Sequence, residues 1–268
     1  MKLAKNALGW LVVALVVGAF AVPAQAQERS RQPAYRLKLD LDLPIVLIAG
    51  AAASSFFVLP ELPGASCAPD CDRKQINHFD RFAAGNYDRS WTTVGDVATV
   101  STLAMPLVVV LADEGFVNGA NDDLVLVESA LVTSATQVSL SFAIARPRPR
   151  VYSDRAPLEE RTNANAARSF FSGHVANTMA VSVAALRTLQ RLHQPLLGWL
   201  TFGAGTAGSA LVGYSRVASG GHFPSDVLIG AALGAGVGLA LPALHDRPLR
   251  IEPVASAGYN GVLVAGAF

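Results

Sequence analysis

The stretch SRVASGGHFPSD, Ser215 to Asp226, sets an arginine, a histidine and an aspartate at fixed offsets between two long apolar segments. His222 and Asp226 are one helical turn apart, so the carboxylate can reach the imidazole. A carboxylate on one ring nitrogen fixes the tautomer and makes the other nitrogen a better nucleophile or base. Pro224 suits the first turn of a helix, Gly220-Gly221 allows a tight turn before it, and Arg216 closes the preceding helix, able to point into the same mouth.

A second cluster is SFFSGHVA, Ser169 to Ala176. Ser172, Gly173 and His174 fall where a helix is expected to begin, and a helix N-terminus offers free N–H groups and a positive dipole end to an anion. Ser172 adds a hydroxyl, Gly173 lets a ligand approach the backbone, and His174 is a candidate proton donor. The third cluster is RPRPR, Arg146 to Arg150. Arginine forks match phosphate oxygens, and the prolines stop the preceding helix.

Alone, each piece is weak. A single histidine near a helix start is more often a cap or a core residue, and Arg-Pro repeats are often solvated linkers. Together they place two histidines, a carboxylate, several arginines and a helix N-terminus at one end of a bundle. That set suits phosphoryl transfer through a histidine with no metal required. His78, His193 and His245 have no matching partners in the sequence and read as ordinary loop or helix-end residues.

The elements that must hold these residues are apolar. The chain has 268 residues, 21 Lys+Arg against 20 Asp+Glu, and 15% charged residues, which gives no nucleic-acid footprint. Mean hydropathy is +0.37, high for a soluble enzyme. Six apolar segments, at about 44–59, 94–112, 124–145, 173–192, 196–214 and 224–244, are long enough to approach the roughly 20-residue span of a bilayer and lack strand alternation. Gly230, Gly234 and Gly238 lie four apart on the last, a face along which helix backbones can approach closely. Glu128 and Gln137 inside the third segment favour a packed bundle. Tyr87 and Trp91 suit either a membrane interface or core packing. Ile251–Ser256 and Val262–Phe268 flank Gly-Tyr-Asn-Gly, the pattern of a β-hairpin.

Lys2 and Lys5, an apolar run from Ala7 to Val22, and Ala24-Gln25-Ala26 have the layout of a secretory signal peptide, with an uncleaved anchor as the alternative. Cys67 and Cys71 are too few for a zinc site and in an exported protein could staple a loop. If the signal is cleaved and all six segments span, the arginine-rich loop falls inside, whereas an exported site needs it outside. Either the N-terminal segment stays, or some helices do not span, or the bundle is periplasmic and crosses no membrane.

With these residues in view, the chain resembles the type 2 phosphatidic acid phosphatase and vanadium haloperoxidase superfamily, whose motifs are Lys-x6-Arg-Pro, Pro-Ser-Gly-His and Ser-Arg-x5-His-x3-Asp. The third matches at Ser215, Arg216, His222 and Asp226. The second matches at Ser172, Gly173 and His174, with Phe171 for the proline. The first matches at Arg148-Pro149, with Ser141 where the family has lysine. The resemblance covers roughly Val94 to Leu244. It implies an all-α, six-helix bundle, here with a short C-terminal β-hairpin. The corresponding division is a signal peptide (1–26), an N-terminal segment with the first helix and Cys loop (27–93), a helical core (94–244) and a tail (245–268).

The resemblance also implies a mechanism without metal or cofactor. His222 would attack phosphorus, Asp226 would orient it, and His174 would protonate the leaving oxygen. Arg148, Arg216, Ser172 and Gly173 would hold the phosphoryl oxygens, with Arg146 or Arg150 replacing the lost lysine charge. The expected substrates are lipid phosphates, isoprenoid pyrophosphates or small phosphomonoesters, and the expected setting is the bacterial envelope, with the site facing the periplasm. The alternatives are a vanadate-dependent haloperoxidase and a non-catalytic protein that binds phosphorylated lipids.

Overall fold

The computed structural model describes residues 32–58, 64–69, 71–246, 250–256 and 259–265. The expected signal peptide lies outside them. Within them the six apolar segments are all helical. Helix α1 is Leu39–Val58, α2 Arg89–Ile144, α3 the short Leu158–Thr162, α4 Gly173–Arg191, α5 Pro195–Ala218 and α6 Pro224–Asp246. Strands β1 (Arg250–Ser256) and β2 (Tyr259–Ala265) pair antiparallel, with Arg250 opposite Ala265 and Ser256 opposite Tyr259.

Helix α2 carries the second and third apolar segments as two arms. Asp88 caps its start by accepting a hydrogen bond from the Ser90 N–H at 2.8 Å, and Ala145 ends it in the left-handed region before the Arg-Pro run. Between the arms Gly115 has φ 76° and ψ 170°, outside helical geometry. In a straight helix residues 111 and 119 would be about 12 Å apart along the axis. Here a Cβ on Gly119 would sit 2.8 Å from the Leu111 Cα, so the arms double back as a hairpin. The start and end of α2 therefore arrive at the same end of the bundle.

Helix α4 is the centre, packed against α2, α5 and α6. Val181, Ala184, Ala185 and Leu189 on α4 join Val109, Val110 and Leu126 of α2 in one core cluster, and Val175 meets Ala98 and Val212 in another. The glycine ladder explains how α6 comes so close. A Cβ on Gly234 would lie 2.0 Å from the Ala176 carbonyl oxygen, and one on Gly238 would lie 2.3 Å from that of Ala180. No side chain fits there.

The outer surface is apolar. Leu39, Ile48, Val100, Phe116, Val117, Leu196, Trp199, Leu200 and Leu228 are all exposed, more than a water-facing monomer ordinarily shows. Among the described residues three helical stretches are long and apolar enough to cross a membrane: 89–152, which contains the α2 hairpin, 195–218 and 224–245. The protein is membrane-associated. Trp91 stacks edge-on against Tyr214 at 4.9 Å, whereas Tyr87 joins a polar cluster with Arg89 and Glu160.

The polar stretch before α2 closes the end where the loops gather. Ile76, Ala83 and Ala84 pack with Phe223, and Ala65 packs with Val151, Ala166 and Ala167. Cys67 and Cys71 are disulfide-bonded.

Candidate active site

Four chain segments converge at this end: the start of α2, the loop after α2, the α4 N-terminus and the α5–α6 turn. The turn exists because Gly220 takes φ 78°, a conformation that favours glycine; its carbonyl accepts the Arg150 N–H at 3.1 Å. His222 follows, 3% exposed. Its Nδ1 lies 2.6 Å from the Ser169 carbonyl oxygen. With Nδ1–H donating there, Nε2 keeps its lone pair. His174, Arg148 and Arg216 all lie close enough to act on the charge of His222. Burial first, then the positive field of Arg148, holds His222 well below the ordinary histidine pKa of 6.5.

The expected pairing of Asp226 with His222 is corrected by these contacts. Asp226 Oδ2 accepts the Ser169 hydroxyl at 2.5 Å and the Phe223 N–H at 2.9 Å, and Oδ1 accepts Arg146 Nη1 at 2.5 Å. The Asp226 carbonyl accepts the Ser172 N–H at 3.0 Å. Asp226 thus acts on the imidazole at one remove, through Ser169. The reason is the turn at 219–223, which faces the ring toward the 169–172 segment and leaves the carboxylate to cap its own helix.

Arg146 is also reassigned. Its guanidinium binds Asp80 at 2.8 Å, Asp226 at 2.5 Å and the Ser225 hydroxyl at 2.9 Å, and it lies over the Phe223 ring at 4.4 Å. Two carboxylates occupy it, so it braces the site and is not free for phosphate. Asp80, fully buried, also accepts the Ser225 N–H and hydroxyl and the Asn77 amide. Burial alone would raise its pKa, but the hydrogen bonds from Ser225, Arg146 and Asn77 outweigh that and lower it.

Arg148 and Arg216 aim inward. Arg148 is anchored by the Asn165 carbonyl and side-chain oxygen, both at 2.8 Å, and by the Gly221 carbonyl at 3.1 Å. Arg216, 7% exposed, gives one Nη2 hydrogen bond to Asp96 at 2.5 Å, and its buried Nε has no partner. The Ser172 hydroxyl, at the α4 N-terminus, is also buried with no partner. His174 is on the first turn of α4, its Nε2 4.0 Å from Asp96. Two orphaned buried donors, a helix N-terminus and two arginines make an anion cradle beside the free face of His222.

The PAP2 superfamily model matches residues 123–250. This stretch belongs to the PAP2 superfamily. The PAP2 region spans all three motif clusters, from the second arm of α2 to the end of α6. No curated protein matches the chain. Among solved structures, the first transmembrane PAP2 type phosphatidylglycerolphosphate phosphatase from Bacillus subtilis aligns at 22% identity and a TM-score of 0.44, covering 76% of this chain and 96% of that one.

Ser141, which stands at the lysine position of the first PAP2 motif, is 2% exposed, and its hydroxyl turns back to the Val138 carbonyl at 2.8 Å. The next residue, Phe142, carries the Arg168 guanidinium 4.3 Å above its ring, and Arg168 is near enough to act on Arg148. Reading the sequence missed Arg168, Asp96, Asp80 and Ser169. Arg168 had a signal, a lone arginine four residues before Ser172. Asp96 had none, because it reaches the site only through the hairpin.

Proposed function

We propose that this protein is a membrane phosphatase that hydrolyses phosphorylated lipids, such as lipid phosphates or isoprenoid pyrophosphates, through a phosphohistidine. The observation that carries the proposal is the anion cradle formed by the unpartnered Ser172 hydroxyl and Arg216 Nε beside buried, neutral His222. PAP2 membership of residues 123–250 supports phosphatase chemistry, and the exposed apolar surface supports a substrate that arrives from lipid.

In this reading His222 Nε2 attacks phosphorus. The bond from phosphorus to the lipid oxygen breaks, and that oxygen takes a proton from His174. Water then attacks the phosphohistidine and gives its proton to His174, and the N–P bond breaks to release inorganic phosphate. Burial, Arg216 and Arg148 hold His174 down to a pKa of about 4, and Asp96, 4.0 Å away, opposes them. The negative charge of the bound phosphoryl group would add to Asp96 in favouring the imidazolium needed for the first step. Arg148, Arg216, Ser172 and the Gly173 N–H hold the oxygens whose charge grows in the transition state. Arg168 supplies the cation that Ser141 lacks. The catalytic residues are His222 and His174, with Asp226 and Arg146 as positioning residues.

The Cys67–Cys71 bond supports a site end that faces an oxidising, exported compartment. The test is phosphate release from a short-chain phosphatidic acid in detergent with EDTA present. Full wild-type activity and none in His222→Ala is expected; equal rates in the two proteins would end the proposal.

A further inference from the structure

The bundle holds a second group of chemistry-bearing side chains far from the first. Asp42 of α1, Glu128 of α2 and His245 of α6 are all buried, and one ligand atom from each lies within 4.8 Å of the others. His245 is nineteen residues beyond Asp226 on the same helix, about 28 Å along its axis, so this group sits toward the opposite end of the molecule. His245 is not the unpartnered helix-end residue that the sequence suggests. Its Nε2 is 2.9 Å from Asp42 Oδ1 and 3.4 Å from Glu128 Oε2.

We propose that Asp42, Glu128 and His245 bind one divalent transition-metal ion of the zinc type, which ties α1 to the core. Three observations converge. His245 Nδ1 lies 2.9 Å from the Leu241 carbonyl oxygen one turn back. That bond fixes the proton on Nδ1 and turns the Nε2 lone pair toward the two carboxylates, the outer-shell arrangement that metal-binding histidines use. Second, Glu128 is fully buried, and neither of its side-chain oxygens has a hydrogen-bond partner. A buried carboxylate in that condition is strongly disfavoured unless something positive completes it. Third, both distances from His245 Nε2 are close to those a tetrahedral ion needs. Tetrahedral ligands about 2.0–2.1 Å from zinc lie about 3.3 Å from each other. The 3.4 Å separation of Nε2 and Glu128 meets this, and the 2.9 Å separation of Nε2 and Asp42 needs to open by only a few tenths of an ångström.

Without an ion, the 2.9 Å contact of His245 Nε2 with Asp42 needs a proton between them, on the ring or on the carboxyl, and both Glu128 oxygens still lack a hydrogen bond. A dication balances both carboxylates and bonds Glu128 directly. One nitrogen and two oxygen ligands suit zinc better than calcium or magnesium, which prefer six or more oxygens. The Lys38 N–H, 2.5 Å from Asp42 Oδ2, holds the Asp42 carboxylate in orientation and leaves Oδ1 for the ion.

The test uses the full chain in detergent, stripped with EDTA, dialysed against micromolar Zn²⁺ and assayed for bound metal by mass spectrometry, with thermal unfolding followed in parallel. The wild type is expected to bind about one zinc per chain and to melt several degrees higher with zinc than without. Glu128→Gln and Asp42→Asn, which keep side-chain shape, should lose most of the bound zinc and the melting shift, as should His245→Ala where it folds. His222→Ala should retain both, which separates this site from the histidines of the phosphate cradle. A wild type that binds no stoichiometric zinc, or a Glu128→Gln protein that binds as much as wild type, would overturn the proposal and leave the triad as an ion pair completed by a proton.

Discussion

His222 Nδ1 rests 2.6 Å from the carbonyl oxygen of Ser169, a residue 53 positions earlier in the chain. The Ser169 hydroxyl in turn donates to Asp226. Orientation of the nucleophile therefore passes through a backbone carbonyl, and side-chain changes should touch it in grades. His222→Ala should lower kcat by at least about a thousandfold, since no neighbouring side chain replaces the attacking nitrogen. Ser169→Ala keeps the carbonyl and removes only the hydroxyl. It should lower kcat about tenfold with KM unchanged, the worth of one hydrogen bond to a charged group. Steady-state kinetics on the two variants checks the gradation, and equal losses would contradict it.

The orphaned hydroxyl of Ser172 should matter in the transition state and little to the fold. Ser172→Ala is expected to lower kcat/KM about a hundredfold while the melting temperature stays the same or rises, because a buried group without a partner is removed. Calorimetry alongside the phosphate assay reads both.

Arg168 should behave as a substitute for the missing lysine. Arg168→Ala is expected to lower kcat/KM about 10- to 100-fold, and Arg168→Lys to recover part of it. A variant with wild-type kinetics would remove Arg168 from the phosphate set.

Asp80 and Asp226 share Arg146, whose side chain is 22% exposed. Asp80→Asn would leave that cation half-compensated and weaken the hold on the start of α6. Allowing for the partial exposure, the expected loss is about 2 kcal/mol of stability, read from denaturant midpoints at neutral pH. Asp80 also predicts an acid limb. Asp80 has a lowered folded pKa against 3.8, so its contribution is full above that value and is lost as pH falls through the folded one. His222 acts at higher pH. Burial lowers its folded pKa below 6.5, so the unfolded chain takes the proton first, and stability declines as pH drops below about 6.5 with a slope of at most about 1.4 kcal/mol per pH unit. In His222→Ala this decline should shrink to the share of His174, whose folded pKa is lowered to about 4 by burial and the field of Arg216.

Gly234 faces the Ala176 carbonyl with no room for a Cβ. Gly234→Leu should force α6 away from α4 and destabilise the bundle by about 3 kcal/mol or more. Because Asp226 and His174 sit at the near ends of those two helices, activity should fall with it. Gly236→Leu, on an open face, is the matched control and should be close to neutral.

Much of this was legible in the residues. The six apolar runs and the Gly230–Gly234–Gly238 face follow from periodicity, a short-range pattern, whereas the gathering of Ser172, His174, Arg216 and His222 is expected from their separate motifs and the family resemblance. What failed depended on which partner a side chain meets. Arg146 read as a phosphate ligand since arginine type and position fit. Only the packing of Asp80, from the polar stretch before α2, against the start of α6 shows that the guanidinium is taken. Asp226 read as the partner of His222 since one helical turn separates them, but a turn residue in the left-handed region rotated the ring elsewhere. Asp42, Glu128 and His245 lie on three helices with no common motif, so nothing local marked them as neighbours.

The doubling back of α2 at Gly115 makes each arm a measuring stick. One arm sets the depth of Asp96, which holds Arg216, and the other that of Arg148, and the two must agree for both arginines to sit beside His222. A single residue inserted into either arm would advance its tip about 1.5 Å and swing it about 100°. Relatives of this chain should therefore tolerate changes of length at the bend, where Phe116 and Val117 are exposed, and almost none along the shafts.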